Sequence, residues 1–539
     1  MSVARTIWTR LENHPWLTMT LAVLAQTWFT LNNRALWFSD EVRYADAYRN
    51  LAQGGKWMVL ALNGQAYPDK PPVYFWFLWL IDKLTPLDPP AVFFAGAACS
   101  GLFFLFAAYA LARTLKFDRT TSLASSLILI STFMVAALLH YSRMDLMFAG
   151  LIILSHAAFY RAYTDRTEGW WPVWGFALAG AATLVKGPLG FLFPLMNVAL
   201  FLAFKGELKR LFSRRTGLGL LVMLTMLAAW VAGVILAEGP RFLIDTVLGK
   251  QILERATHTF HHKESWWWYF AAFPLAWLPW TLAVFAAPLR RLLSLSFWGE
   301  LWGGRRQAGA RTFLWIMFLA TFIFLSSLSG KVFIYVLPMF PPLAILIADD
   351  LRTMSEVRAR RLWTLVGGLW IVVGAALLLV GDLIPLPVPV HGMGICAAVL
   401  VLGGGAIVTV RAEGFRAALL TCALAMILWI HPVGLLAAPS LDDAMSPKRQ
   451  ALVLKDYIER GYAPFSARVY SGIYTWYADH DYPEYDNYAQ LMEEMAKHDK
   501  VVLVMRESHW RDIEDKLPEF HVVDRQSIAG LVHILAIKG

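Results

Sequence analysis

Two carboxylates stand side by side, Asp40 and Glu41, in the stretch WFSDEVRYADAYRNLAQGGKWMVLALNGQAYPDKPPVYFW that runs from Trp37 to Trp76. At a membrane boundary such a pair can supply a general base, because a neighbouring charge and partial burial raise one carboxyl pKa. The same residues can equally start a helix, with Ser39-Asp40-Glu41 as the capping turn. Lys70, Arg255 and Lys331 are isolated cations beside apolar sequence. Cations so placed can pin an anionic headgroup by charge and hydrogen bonds, or snorkel to the interface. His258 and His262 lie four apart and would share one helical face, where they could hold a divalent metal. A histidine-rich loop without metal is the alternative. Trp266, Trp267 and Trp268 read as an interfacial aromatic belt.

The elements that position these residues must be membrane spans. A chain of 539 residues that is 58% hydrophobic and 16% charged, with mean hydropathy +0.50, is no soluble enzyme. Apolar runs of about 20 residues recur along it, the length that crosses a bilayer as a helix. The net charge of +9 then belongs to cytoplasmic loops, and no nucleic-acid partner is expected. Cys99, Cys396 and Cys422 fall inside apolar runs, which leaves no disulfide framework and no cysteine metal knuckle.

Arg5 and Arg10 ahead of the first span (15–36) put the N-terminus in the cytoplasm, and that span reads as an uncleaved anchor. The loop 37–72 then lies outside. Val73–Leu84 is short and carries Asp82 and Lys83, so an interfacial helix is expected there. Continuing this bookkeeping through the basic loops gives about thirteen spans. It sorts the chemistry onto one face: Asp40/Glu41, Asp69/Lys70, Asp145, Lys186, the His258 loop and Lys331 all fall outside. Residues 438–539 alternate helical patterns (448–460, 485–497) with strand-like runs (467–470, 501–505, 521–523, 531–537). They read as a small α/β domain on the outer side, following a membrane portion over 1–437.

The blocks DEVRYADAYRNL, GQAYPDKPPVYFW, YSRMDLMFAG, LVKGPLG, an arginine and histidines ahead of WWWYF, and SGKVFIYVLPMFPPLAIL occur in this order. Together they resemble bacterial membrane glycosyltransferases of the GT-C fold, nearest to the lipid A aminoarabinose transferases in the protein O-mannosyltransferase-like superfamily. The resemblance covers residues 15 to 350 in matched order and the later spans more loosely. It implies a polytopic α-helical GT-C fold in the bacterial inner membrane and a periplasmic active site. It also implies a polyprenyl-phosphate sugar donor, undecaprenyl in bacteria, and an acceptor that is lipid A or another envelope lipid or glycan. By motif position Asp40 is implied as the catalytic carboxylate, with Glu41 beside it and Asp145 as a second one. Lys70, Arg255, Lys331 and Tyr335 are implied as donor-phosphate contacts, and Lys186 matches the family's KGP tip. A metal site would map to Asp69, His258 and His262, with zinc the expected ion. The family's Glu before Lys-Pro-Pro is Asp69 here, one methylene shorter, and its Arg-Phe pair is Arg255-Ala256.

The reaction so implied is an inverting displacement at the anomeric carbon. No nucleotide cofactor is expected, since neither a Walker A sequence nor a GxGxxG opening a helix occurs. A protein O-glycosyltransferase is an alternative within the same class. A transporter or flippase of lipid-linked sugars is an alternative outside it, and would carry mid-span charges and paired broken helices in two related halves. Charges gathered at one membrane face favour the enzyme.

Overall fold

A computed structural model describes residues 3–164, 169–242, 244, 264–287, 294–380 and 388–539. Among these residues eight helices are long and apolar enough to cross a bilayer, or nine if one bent pair is a single span. The polytopic helical fold is therefore present, with fewer uninterrupted spans than the thirteen or so expected, because several apolar runs are short or broken. Run 15–36 is helical over Pro15–Thr27 and ends in a tight turn at Trp28–Thr30. The apolar run 123–139 is two pieces, Arg119–Ile130 and Phe133–Leu138. The hydroxyls of Ser131 and Thr132 donate back to Leu127 O and Ile128 O, at 2.6 and 2.9 Å, which competes with the helix ladder at that point.

A second break answers the first. Trp268–Ala276 and Trp280–Ala286 meet at 102°, with Pro279 in the bend, where its missing N–H cannot continue a helix. Leu278 O, freed there, accepts the Phe133 N–H at 3.0 Å. Irregular backbone inside a membrane protein survives only where protein supplies such partners. The helix Arg214–Glu238 is the opposite case. Its mean hydropathy is 2.5 and only 11% of its apolar window is buried, so it turns its side chains outward, as lipid contact requires.

Between the first span and the next lies the segment with the paired acids. It folds as a helix, Asp40–Ala52, then two short antiparallel strands, β1 (Leu60–Leu62) and β2 (Gln65–Tyr67), then the helix Val73–Leu84. Asn63-Gly64 joins the strands with φ of 50° and 72°, the backbone a two-residue hairpin of this kind needs. Val73–Leu84 has the expected bounds, and its 12 residues cannot span a bilayer. Trp171–Lys186 and Leu189–Lys205 form a helical hairpin with Lys186-Gly187 at its tip. The tip is tight: a Cβ on Gly190 would lie 2.3 Å from Thr183 N.

The last hundred residues carry a mixed five-stranded sheet, in the order β4 (Glu484–Tyr485), β3 (Ala463–Ala467), β5 (Val501–Arg506), β7 (Leu531–Lys538), β6 (His521–Ile528). β3 runs parallel to β4 and β5, whereas β7 is antiparallel to β5 and β6. The strand expected at 467–470 lies earlier, at Ala463–Ala467, because Arg468 turns out of the strand at φ 53°. This region grips the chain just before Asp40. Asp442 accepts from Ala35 N and Trp37 Nε1, at 2.9 and 2.8 Å. Tyr477 accepts from Leu36 N at 2.7 Å, Ser446 Oγ donates to Leu36 O at 2.7 Å, and Phe38 N donates to Met445 O at 2.7 Å.

Candidate active site

Asp40 opens its helix, but not as a cap. The preceding Ser39 makes no side-chain cap bond, and the Asp40 carboxylate is spent on Arg143, with Oδ2 2.8 Å from Nη1. Arg143 Nε lies 3.0 Å from Asp145 Oδ2, and the other Asp145 oxygen pairs with Lys186 Nζ. Two carboxylates and two cations thus alternate in one chain: Asp40, Arg143, Asp145, Lys186. Asp145 and Lys186 are buried, whereas the Asp40 and Arg143 side chains keep 24% and 23% of their exposure. Asp40 is therefore the solvent-exposed end of the chain. Burial works against the Arg143 charge, yet Asp145 and Asp40 together hold its guanidinium above the usual arginine range.

An open cavity lies at the buried end. Asp145, Lys186 and Tyr335 line it with Phe148, Leu189, Phe193 and the Ile334–Pro338 turn. The Lys186 ammonium sits 4.6 Å above the Tyr335 ring, which adds a cation–π contact to its ion pair. A smaller cleft is lined by Lys70, Tyr67, Pro68, Met58 and Val59 from the Asp40 segment and by Trp230, Val234 and Phe242. It is apolar apart from Lys70 and the Tyr67 phenol.

Lys70 is unlike the other cations. Among the described residues it has neither an ion pair nor a hydrogen bond. Burial, reinforced by Lys186, lowers its ammonium to about 8, and Asp40, Asp69 and Asp145 only partly offset this. A half-buried cation without a direct ion-pair partner among the described residues costs free energy that an incoming anion would recover.

The sequence-derived candidates separate into groups. Asp40, Asp145, Lys186, Tyr335 and Lys70 are brought together. Glu41 is not with them: it turns inward, fully buried, into a bidentate pair with Arg34. Lys331 is also committed elsewhere. Its ammonium donates to the carbonyls of Glu264, at 3.2 Å, and Leu328, and burial pushes it below the usual lysine range. That tie fastens the loop after Ser327 to the segment that starts the bent pair, just ahead of Tyr335. Arg255, His258 and His262 lie outside the described residues. Of the metal set only Asp69 is described, and no group of three His, Cys, Asp or Glu among the described residues is arranged to hold an ion. Arg34 and Arg143 were missed by reading the sequence. Arg143 carried a usable signal, an arginine two residues from an acid on the face where strongly basic loops are absent.

Residues 69–233 match the family model for dolichyl-phosphate-mannose-protein mannosyltransferases. The undecaprenyl phosphate-alpha-4-amino-4-deoxy-L-arabinose arabinosyl transferase of Aeromonas salmonicida is 30% identical over 367 residues, 66% of this chain and 64% of that protein. Its Pseudomonas aeruginosa counterpart is 29% identical over 328 residues, 60% of this chain and 56% of that protein. The matched stretches therefore span less than two thirds of these relatives' own length. Crystal structures of ArnT from Cupriavidus metallidurans, apo and bound to undecaprenyl phosphate, superpose with TM-scores of 0.76 and 0.74 at 20% and 19% identity. Each covers 97% of this chain and 98% of ArnT, helices and C-terminal sheet alike. The chain is therefore a multi-pass membrane protein with the fold of ArnT, the GT-C fold, and its sequence is similar to aminoarabinose transferases and, over residues 69–233, to protein mannosyltransferases.

Proposed function

We propose that this chain is a membrane glycosyltransferase that moves a sugar from a polyprenyl phosphate, undecaprenyl phosphate by analogy with its relatives, to lipid A or another envelope lipid or glycan. The single observation that carries the reading is Lys70, a cation without an ion-pair partner among the described residues, lining a largely apolar cavity beside the Asp40–Arg143–Asp145–Lys186 chain. An isoprenoid phosphate has the matching form, an apolar chain ending in an anion. The acceptor oxygen attacks the anomeric carbon from the face opposite the phosphate, and the bond from that carbon to the phosphate oxygen breaks. Configuration inverts, and the polyprenyl phosphate leaves with the bonding pair. Lys70, with Lys186 and Tyr335 behind it, meets the charge that develops on the leaving oxygen. Asp40 takes the proton if the acceptor is a hydroxyl, and orients it if the acceptor is a phosphate. Arg255 belongs to the phosphate contacts in this reading. Glu41 and Lys331 support the site without touching substrate. Asp69, His258 and His262 hold at most one weakly bound divalent ion, and His258→Ala should lower turnover less than Asp40→Asn does.

The site faces the periplasm, with the N-terminus cytoplasmic and residues 438–539 forming an outer domain on the membrane portion 1–437. In a variant lacking Cys99, Cys396 and Cys422, a cysteine at exposed Gln65 should react with an impermeant maleimide added outside intact spheroplasts, and one at exposed Lys209 should not. The reverse labelling would overturn the orientation and the periplasmic reaction with it. For the activity, purified protein is incubated with a panel of polyprenyl-phosphate sugars and an envelope lipid extract. Release of polyprenyl phosphate with appearance of a glycosylated lipid is the expected result. Movement of the intact donor across a liposome membrane without transfer would favour a flippase.

A further inference from the structure

The buried pair beside the site is built for more than cohesion. Arg34 Nη1 and Nη2 lie 2.7 and 2.9 Å from Glu41 Oε2 and Oε1. Each Glu41 oxygen also accepts a backbone N–H: Oε2 from Trp37 at 2.9 Å and Oε1 from Ser142 at 2.8 Å. Arg34 Nη2 donates to His140 O at 2.7 Å, and the guanidinium lies 4.3 and 4.6 Å from the Trp37 and Phe94 rings. Three separate stretches therefore meet on one ion pair: the end of the first span, the start of the Asp40 helix, and the turn before Arg143. Burying two charges is expensive, and an apolar pair of like volume would fill the space with little loss of stability. What apolar side chains cannot do is bind Trp37 N and Ser142 N at once.

We infer that Arg34 and Glu41 are positioning residues that fix Asp40 relative to the Arg143–Asp145 turn. The inference rests on the reading of Asp40 as the acting carboxylate. Ser142 is the neighbour of Arg143, and Glu41 is the neighbour of Asp40, so the Glu41–Ser142 bond sets the separation that the Asp40–Arg143 contact spans. Lys70 and its apolar cavity receive no bond from the pair, so the Lys70 contact with the donor does not depend on it.

The test compares Glu41→Gln, Arg34→Lys and the double variant Arg34→Met/Glu41→Leu with wild type, in turnover, KM for donor, binding of undecaprenyl phosphate, and thermal stability. Glu41→Gln should lower kcat by about 10- to 100-fold, the scale of a displaced reacting group, and leave the donor KM and undecaprenyl-phosphate affinity within about twofold. Arg34→Lys keeps the charge but loses the fork, and should lower kcat in the same sense to a smaller extent. The double variant should regain the stability lost in Glu41→Gln without regaining kcat. Recovery of kcat together with stability would show a merely structural pair and overturn the inference, as would a loss confined to donor KM. If Glu41→Gln does not fold, Arg34→Lys and the double variant decide. Full turnover in Asp40→Asn would instead reject the reading on which the inference stands, a separate and recognisable outcome.

Discussion

Replacing Asp40 with asparagine is expected to lower kcat by about 10²-fold or more, the range in which a positioned general base contributes, with undecaprenyl-phosphate affinity little changed. Asparagine preserves the shape and can still accept from Arg143, but it cannot take a proton and leaves that guanidinium with one carboxylate partner instead of two. The phosphate contacts assigned to Lys70, Lys186 and Tyr335 are untouched. A helix-capping role would give a different result, about 1 kcal/mol of stability and nearly normal turnover. The missing cap bond at Ser39 already points away from that outcome. Steady-state turnover beside a calorimetric melt separates the two. Turnover within about threefold of wild type would remove Asp40 from the chemistry.

Lys70→Met is expected to weaken undecaprenyl-phosphate binding by about 10- to 100-fold, the loss of one charge-assisted contact. The pH dependence gives a sharper reading. With the ammonium lowered to about 8, wild-type affinity should fall as pH rises through that value, while the affinity of Lys70→Met stays flat over the same range. The bound phosphate opposes the shift, so donor-saturated protein should hold its turnover to higher pH than donor-free binding suggests. Stability runs the other way. A lysine whose folded pKa is depressed destabilises the fold while charged, below about 8, and that cost fades as pH rises toward the ordinary lysine value of 10.5. Ligand-free wild type should therefore gain stability relative to Lys70→Met across that window. An affinity that rises with pH in wild type, or a Lys70→Met protein that binds normally, would contradict the assignment.

The site was partly legible because its residues stand at the ends of apolar runs, where charge is conspicuous. Asp40, Lys70, Asp145 and Lys186 could be grouped on one face before any contact was known. The helix Val73–Leu84 was legible because twelve residues with Asp82 and Lys83 cannot cross a bilayer. Glu41 was misread as a partner of Asp40 because adjacency in sequence says nothing of direction. Successive side chains on a helix diverge by about 100°, enough to send one carboxylate outward and the next into the core. Arg34 was hidden for a related reason, as a single charge at the close of an apolar run whose partner only burial reveals. The break at Ser131-Thr132 depends on Leu278 O, a partner supplied by a distant bend, and no local pattern announces it. β4, two residues long, exists only because β3 lies beside it.

The grip of residues 442–477 on the stretch before Asp40 also sets an order of events during synthesis. Ala35, Leu36 and Trp37 wait for partners that lie 407, 441 and 405 residues further along the chain. At ordinary elongation rates of about 5–20 residues per second, that wait is roughly 20 to 90 s. Throughout it Ala35 N, Leu36 N and the Trp37 indole lack the partners that hold the approach to Asp40. A chain stalled before Asp442 would carry every site residue and still lack a fixed acid. Residues 442–477 must therefore be made before the approach to Asp40 can be held in place.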